Sequence, residues 1–254
     1  VLDALKFNNT VDGSPVVGDR VFAVSANDGT NAGAAATVTV TVAATDDTPT
    51  VSIVDGTPSF TESQGSHAAN NVTVINNQIT LADLDTAALK NATVEITNVK
   101  AGDVLALDTS THTKFDATLS GGVLTIAEKS GETAGTADLQ AALRAVTFAN
   151  TSDTPDTTAR TIEFKVSDGN STSTAATESV AVNIVNDTPV VDLNGAATGG
   201  NKADTFTEVD GADTGAAAVY LNGTGTGSLT AATNLTDLDT STLASMTVST
   251  VASS

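Results

Sequence analysis

The chain has 254 residues, and 30 acidic side chains against 10 basic ones give it a formal charge of −20. That charge repels a phosphate backbone, which excludes nucleic acid as a partner; the absence of cysteine excludes disulfides and thiolate chemistry. No apolar run approaches the roughly 20 residues of a membrane helix, so no membrane insertion is expected, while 40% hydrophobic residues in alternating runs argue for packed domains over disorder.

In chain order, residues 37–42 alternate threonine with valine, the pattern of a half-buried strand. A strand is expected at 50–54, and further ones around Val72/Val74, Val94/Ile96, Val123 to Ile126 and Val146/Phe148. The run from Ile162 to Val166 alternates apolar with charged residues, and a last strand occupies 177–185. Residues 100–120 show no clear period. One short helix is expected over 137–143 with Thr136 as its cap, and Gly121-Gly122 and Asp168-Gly169 read as tight turns. At least seven short strands separated by Gly, Asn, Asp and Ser clusters predict an all-β, antiparallel β-sandwich.

The same punctuation returns at a fixed interval. Asp46-Asp47-Thr48-Pro49 recurs as Asn186-Asp187-Thr188-Pro189, Asp28-Gly29 as Asp168-Gly169 and Arg20 as Arg160, each 140 residues on. Phe7 maps to Phe148 at 141, Phe60-Thr61-Glu62 returns as Phe206-Thr207-Glu208 at 146, and Asp83-Leu84-Asp85 as Asp237-Leu238-Asp239 at 154. Tandem repetition is therefore expected, with residues 1–46 the closing half of one module, 47–186 a complete module and 187–254 the opening half of the next. On this reading the chain is a piece of a longer array. The phenylalanines, which recur with the module, are expected in its core.

Strand parity places the acids. Glu62 follows the first strand at one pole, and Asp83 and Asp85 are delivered to the other; counted back from the exit, Asp168 lies with Asp83 and Asp85, while Asn186, Asp187 and the 150–160 loop lie with Glu62. Asp46, Asp47, Asp83, Asp85 and Asp168 are thus expected at one joint, and Glu62, Asn186, Asp187, Asp237 and Asp239 at the next, with Asp153 or Asp156 as a further ligand. Like charges about 4 Å apart repel by about 4 kcal/mol at an intermediate dielectric, so such groups call for a cation. Oxygen-only donors suit Ca²⁺ rather than zinc. The bland reading of any one aspartate is ordinary turn chemistry, strongest for the Asp-Gly pairs.

The stretch Leu143-Arg144-Ala145-Val146-Thr147-Phe148-Ala149-Asn150-Thr151, continuing through Arg160 to Gly169 and closing on Val185-Asn186-Asp187-Thr188-Pro189, resembles the cadherin-like repeats of giant bacterial adhesins exported by type I secretion. Val191-Asp192-Leu193-Asn194-Gly195, Phe206-Thr207-Glu208 and Leu235-Thr236-Asp237-Leu238-Asp239 are similar to the opening half of the same repeat. The resemblance implies end-to-end Greek-key sandwiches of cadherin/Ig-like topology. It also implies Ca²⁺ between successive modules, held by Glu62, Asp83/Asp85, Asp237/Asp239, Asp168 and the linker acids. The first linker carries Asp46-Asp47 where the second carries Asn186-Asp187, which leaves the ligand count at each joint open.

Catalysis is not expected: His67 and His112 lie in polar stretches and no nucleophile-elbow motif is present. A carbohydrate-binding sandwich would present an aromatic platform, yet the chain has no Trp and one Tyr. Gly199 to Phe206 departs by Lys202 from a Ca²⁺-binding nonapeptide, and one copy cannot stack. The sequence thus predicts a Ca²⁺-stiffened stalk of an extracellular bacterial surface adhesin, acting in attachment or biofilm formation. Its partners would be the neighbouring repeats of the same chain, with other copies or surface ligands engaged by regions outside it. A self-assembling surface-layer or filament subunit is the alternative.

Overall fold

The computed structural model describes residues 5–11, 13–64, 71–85, 88–191 and 235–236. Asp237, Asp239, the Phe206 to Glu208 motif, His67 and the Gly199 to Phe206 stretch lie outside the described residues. The chain divides into two compact units, one of Val1–Phe60, Val72–Thr151 and Asp156–Val182, the other of Thr61–Asn71, Ser152–Pro155 and Asn183–Ser254.

The class is all-β and sandwich-like. In the first unit a hairpin of β1 (Gly18–Val24) and β2 (Ala36–Val42) stands as a sheet of its own. β3 (Thr50–Ser52) pairs with β6 (Thr80–Ala82). The largest sheet is built from β4 (Ser59–Thr61), β7 (Asn91–Ile96), β9 (Phe115–Ser120), β10 (Val123–Glu128), β12 (Arg160–Ser167) and β13 (Ala176–Asn183), in the order β4-β13-β12-β7-β10-β9. β5 (Thr73–Val74), β11 (Thr147–Asn150) and β8 (Asp103–Ala106) form a three-stranded sheet in the order β5-β11-β8. In the second unit β14 (Val190–Val191) pairs with β15 (Leu235–Thr236).

Alternation decides the faces. β12 buries Arg160, Ile162, Phe164 and Val166, β13 buries Glu178, Val180 and Val182, and β7 buries Ala92, Val94 and Ile96, the period of two that a one-sided sheet requires. Phe60 of β4 meets Phe148 of β11 edge to face, with centroids 5.6 Å apart, so aromatic packing joins the two larger sheets. The stretch without a clear period holds β8 and β9. β9 turns into β10 through Gly121 and Gly122, both at positive φ (58° and 86°), the left-handed geometry of a tight hairpin that only glycine adopts at no steric cost.

The helix α1 (Thr136–Arg144) buries Leu139, Ala142 and Leu143. Its cap is Gly135, not the expected Thr136. The carboxylate of Asp138 accepts the Gly135 N–H at 2.9 Å, while the Thr136 hydroxyl is spent on the Leu89 N–H at 3.1 Å.

β4 departs from the antiparallel rule. Pro58 O accepts the Ala181 N–H at 3.0 Å and the Glu62 N–H donates to Asn183 O at 2.9 Å, so the two chains advance together and run parallel. Glu62 is thereby carried alongside the exit of β13.

Buried charge is paired. The side chains of Arg160 and Asp103 are fully buried, and Arg160 Nε donates to Asp103 Oδ2 at 2.7 Å. The same carboxylate accepts Asn150 Nδ2 at 2.8 Å and the Lys100 N–H at 2.7 Å, which satisfies its lone pairs and makes burial tolerable.

The expectation for the phenylalanines holds in one part of the chain and fails in another. Phe60, Phe148 and Phe164 are fully buried, whereas Phe7 and Phe22 remain 43% and 41% exposed. They meet each other in a tilted pair, centroids 5.6 Å apart, and the β1–β2 hairpin lacks, among the described residues, the sheet that covers β12 and β13.

Candidate metal centre

Glu62, Asp153 and Asp187 come together in the second unit. Each offers one carboxylate oxygen, and these three oxygens lie within 4.8 Å of one another. Three parts of the sequence deliver them: Glu62 directly follows β4, Asp153 sits in the loop between β11 and β12, and Asp187 lies four residues beyond β13.

Local bonds fix the geometry. The parallel run of β4 anchors the Glu62 backbone to Asn183, and Glu62 Oε2 accepts the Val185 N–H at 3.0 Å. Gln64 Nε2 donates to Thr188 Oγ1 at 2.8 Å, and Asn186 Nδ2 donates to Asp187 O at 2.8 Å. The linker is therefore laid against the Glu62 loop by bonds from both sides.

Glu62 is 2% exposed and Asp187 1%. The second oxygen of Glu62, Oε1, is buried without a hydrogen-bond partner among the described residues, as is the neighbouring Ser63 hydroxyl. A buried carboxylate oxygen left unmatched is costly, and three carboxylates at this spacing repel by roughly 3–4 kcal/mol per pair at an effective dielectric near 20. A cation at their centre would reverse both terms. The cluster can hold a metal ion, and its oxygen-only donors are those of a hard cation.

The residues expected at the other joint are arranged differently. The Asp47 N–H donates to Asp85 Oδ2 at 2.9 Å, and the Asp85 N–H to Asp83 Oδ1 at 3.2 Å. Asp46 Oδ1 accepts Asn170 Nδ2 at 2.9 Å, so the linker acids do meet the Asp83/Asp85 loop and the turn that carries Asp168. Asp85 Oδ1 is buried with no partner among the described residues. Asp168 itself caps its own turn, accepting the N–H groups of Asn170 at 2.6 Å and Ser171 at 2.8 Å. The Ser171 and Asn170 N–H groups hold its carboxyl below the usual aspartate range. Asp28 repeats that turn, with Thr30 and Asn31 as donors at 2.8 and 2.9 Å, and its carboxyl is lowered mainly by the Asn31 and Thr30 N–H groups. Here the competing turn-chemistry reading describes what these two aspartates do.

Of the two loop candidates, Asp153 joins the cluster. Asp156 instead accepts the Thr158 N–H at 2.8 Å and faces Lys100 at 3.5 Å, and its pKa is lowered to about 2, first by Thr158 and then by Lys100. Asn186 is exposed and gives its amide nitrogen to the Asp187 carbonyl. No spacing rule singles out Asp153; only strand parity puts its loop beside Glu62.

No family model matches the chain, and neither curated proteins nor solved structures give a match to it.

Proposed function

We propose that the chain is a non-catalytic, Ca²⁺-stiffened stretch of repeats from the stalk of an extracellular bacterial adhesin. The buried Glu62–Asp153–Asp187 cluster carries this reading. Ca²⁺ takes about 6–8 oxygen ligands at about 2.3–2.6 Å, and three carboxylates, backbone carbonyls of the linker and water make such a shell. Two of the acids belong to loops of the 47–186 repeat, whereas Asp187 opens the segment leading into the next. An ion bound to all three ties that segment to the repeat, so binding restricts the direction in which the chain leaves. Asp46, Asp47, Asp83 and Asp85 supply the corresponding material one repeat earlier, with Asp85 Oδ1 as a buried oxygen open to a cation.

The stabilisation follows from mass action. An ion that binds only the folded joint contributes RT ln(1 + [L]/Kd), about 2.7 kcal/mol at a hundredfold excess over Kd. That net gain leaves a joint more rigid in external Ca²⁺ than without it. A chain devoid of cysteine needs such a stabiliser where others use disulfides.

Small-angle scattering of the 254-residue chain, with Ca²⁺ and with chelator, tests the mechanical part. The maximum dimension and rigidity should rise with Ca²⁺; identical curves would refute a Ca²⁺-controlled joint. The second reading, a self-assembling filament or surface-layer subunit, is favoured by one observation, the apolar face of the β1–β2 hairpin, which no sheet covers among the described residues.

A further inference from the structure

The loop that leads into β1 is an earlier copy of the loop that carries Asp153. Gly13-Ser14-Pro15 stands 140 residues before Asp153-Thr154-Pro155, and one arginine clasps each loop in the same way. Arg20 Nη1 donates to Gly18 O at 3.2 Å, and Arg160 Nη1 donates to the equivalent carbonyl, Thr158 O. One position differs in kind. Where the later loop presents the Asp153 carboxylate to Glu62 and Asp187, the earlier loop has no side chain at all.

Gly13 is buried and has a φ of 78°, in the left-handed region that a residue with a Cβ enters only at a cost. A Cβ built on it would lie 2.6 Å from the Leu84 carbonyl oxygen and 2.7 Å from Leu84 Cβ, closer than such atoms pack. The main chain of this loop therefore rests directly on the Asp83-Leu84-Asp85 loop. The rest of the Leu84 side chain takes little part, since Leu84 stays 65% exposed. Two hydrogen bonds close the same joint beside this contact. The Asp47 N–H donates to Asp85 Oδ2 and Asn170 Nδ2 donates to Asp46 Oδ1, each at 2.9 Å. Both bring an N–H donor to an acid of this group, and such charge-assisted bonds offset part of the acids' mutual repulsion.

We propose that Gly13 is the docking residue of a joint held by direct contact between the 1–46 and 47–186 segments, one that stays closed without an ion. Its partner surface is the Asp83-Leu84-Asp85 loop of the same chain, which fits only a loop bare of side chain at this point. The residue at this position of the repeat then decides what the loop does: glycine lets two main chains touch, whereas aspartate fills the space with a charge. A cation at Asp85 would bind a joint already shut. The inference does not draw on the Ca²⁺ reading, so its test is run in chelator and comes out the same whether or not Glu62, Asp153 and Asp187 bind an ion.

A chain without cysteine takes spin labels at chosen sites only. Labels on Thr39→Cys in β2 and Thr125→Cys in β10, both exposed positions, span the joint. A second pair, on Thr125→Cys and Thr177→Cys, lies within the 47–186 segment. In chelator, double electron–electron resonance should give one narrow distance for the spanning pair. Gly13→Val should abolish that narrow distance and leave a broad distribution, while the pair within 47–186 keeps its own distance and so reports an intact fold. Gly13→Ala, which adds the Cβ alone, should broaden the spanning distance as well. Leu84→Ala keeps the carbonyl and the Cβ that Gly13 meets, and should leave it narrow. A broad spanning distance in the unsubstituted chain overturns the proposal. So does a narrow one that survives both Gly13 substitutions, or one that is lost in Leu84→Ala.

Discussion

Two hairpins of almost the same geometry have different energetic standing. In β12–β13, Arg160 reaches a buried Asp103 and Phe164 is fully enclosed. In β1–β2, Arg20 turns back to the carbonyls of Val16 and Gly18, at 2.6 and 3.2 Å, and Phe22 rests on Phe7 in partial contact with solvent. Local sequence and strand register are enough to set the hairpin. What a given side chain contributes to stability is set by the layer that covers it, and only β12–β13 has one among the described residues.

The largest expected effects break that contrast directly. Phe164→Ala leaves a cavity under a closed sheet and should cost about 3–5 kcal/mol; Asp103→Ala strands the Arg160 charge in the interior and should cost a similar amount, about 3–5 kcal/mol. Phe22→Ala and Arg20→Ala, at the equivalent hairpin, should each cost under about 1 kcal/mol, as exposed sites do. Urea unfolding of the four variants at low protein concentration, where chains are kept apart, checks this. Equal losses at both hairpins would mean that β1–β2 is covered after all.

A smaller effect should change sign with the ion. Glu62→Gln removes one of three mutually repelling charges yet leaves an oxygen to accept the Val185 N–H. In chelator the melting temperature should rise, because two of the three pair repulsions are removed, and in saturating Ca²⁺ it should fall below that of the unsubstituted chain. Thermal melts in the two buffers read both signs. A fall in both conditions would make Glu62 a structural residue only.

The smallest effects concern the turns. The Asp28 and Asp168 carboxyls are both held below their ordinary value by backbone N–H donors, and Asp156 is lowered to about 2. A depressed folded pKa contributes stability above the unfolded value, near 3.9, and loses it as pH falls through the folded value. In carboxyl-resolved NMR titrations the Asp28 and Asp168 signals should move together below the ordinary aspartate range, and Asp156 should move at about pH 2. A normal midpoint for Asp168 with a low one for Asp28 would show that the turns are not equivalent.

The all-β class and most strands were legible because alternation of apolar residues survives on one-sided strands; 177–185 and 162–166 are plain even to the eye. β8 and β9 were not, since Asp103 is buried by its partner Arg160 rather than by apolarity, and Leu119 stays 38% exposed, so neither strand carries a clean period. Gly135 was missed as the cap because the Thr136 hydroxyl looked better suited, and only the structure shows Leu89 competing for it. At the candidate site, parity brought the Glu62 loop, Asp187 and the 150–160 loop to one pole, but nothing in a string of residues could choose Asp153 over Asp156. That choice depends on Lys100 and Thr158, which hold Asp156 elsewhere.

Calorimetric titration of Ca²⁺ into the 254-residue chain, beside Glu62→Gln and Asp187→Asn, tests the central claim most directly. Extracellular modules bind Ca²⁺ with Kd of about 10⁻⁴–10⁻³ M, and the unsubstituted chain should show saturable heat in or below that range, with one site lost or at least tenfold weakened in each variant. No heat from the unsubstituted chain, or the same isotherm for all three proteins, would contradict a Ca²⁺ site at Glu62, Asp153 and Asp187.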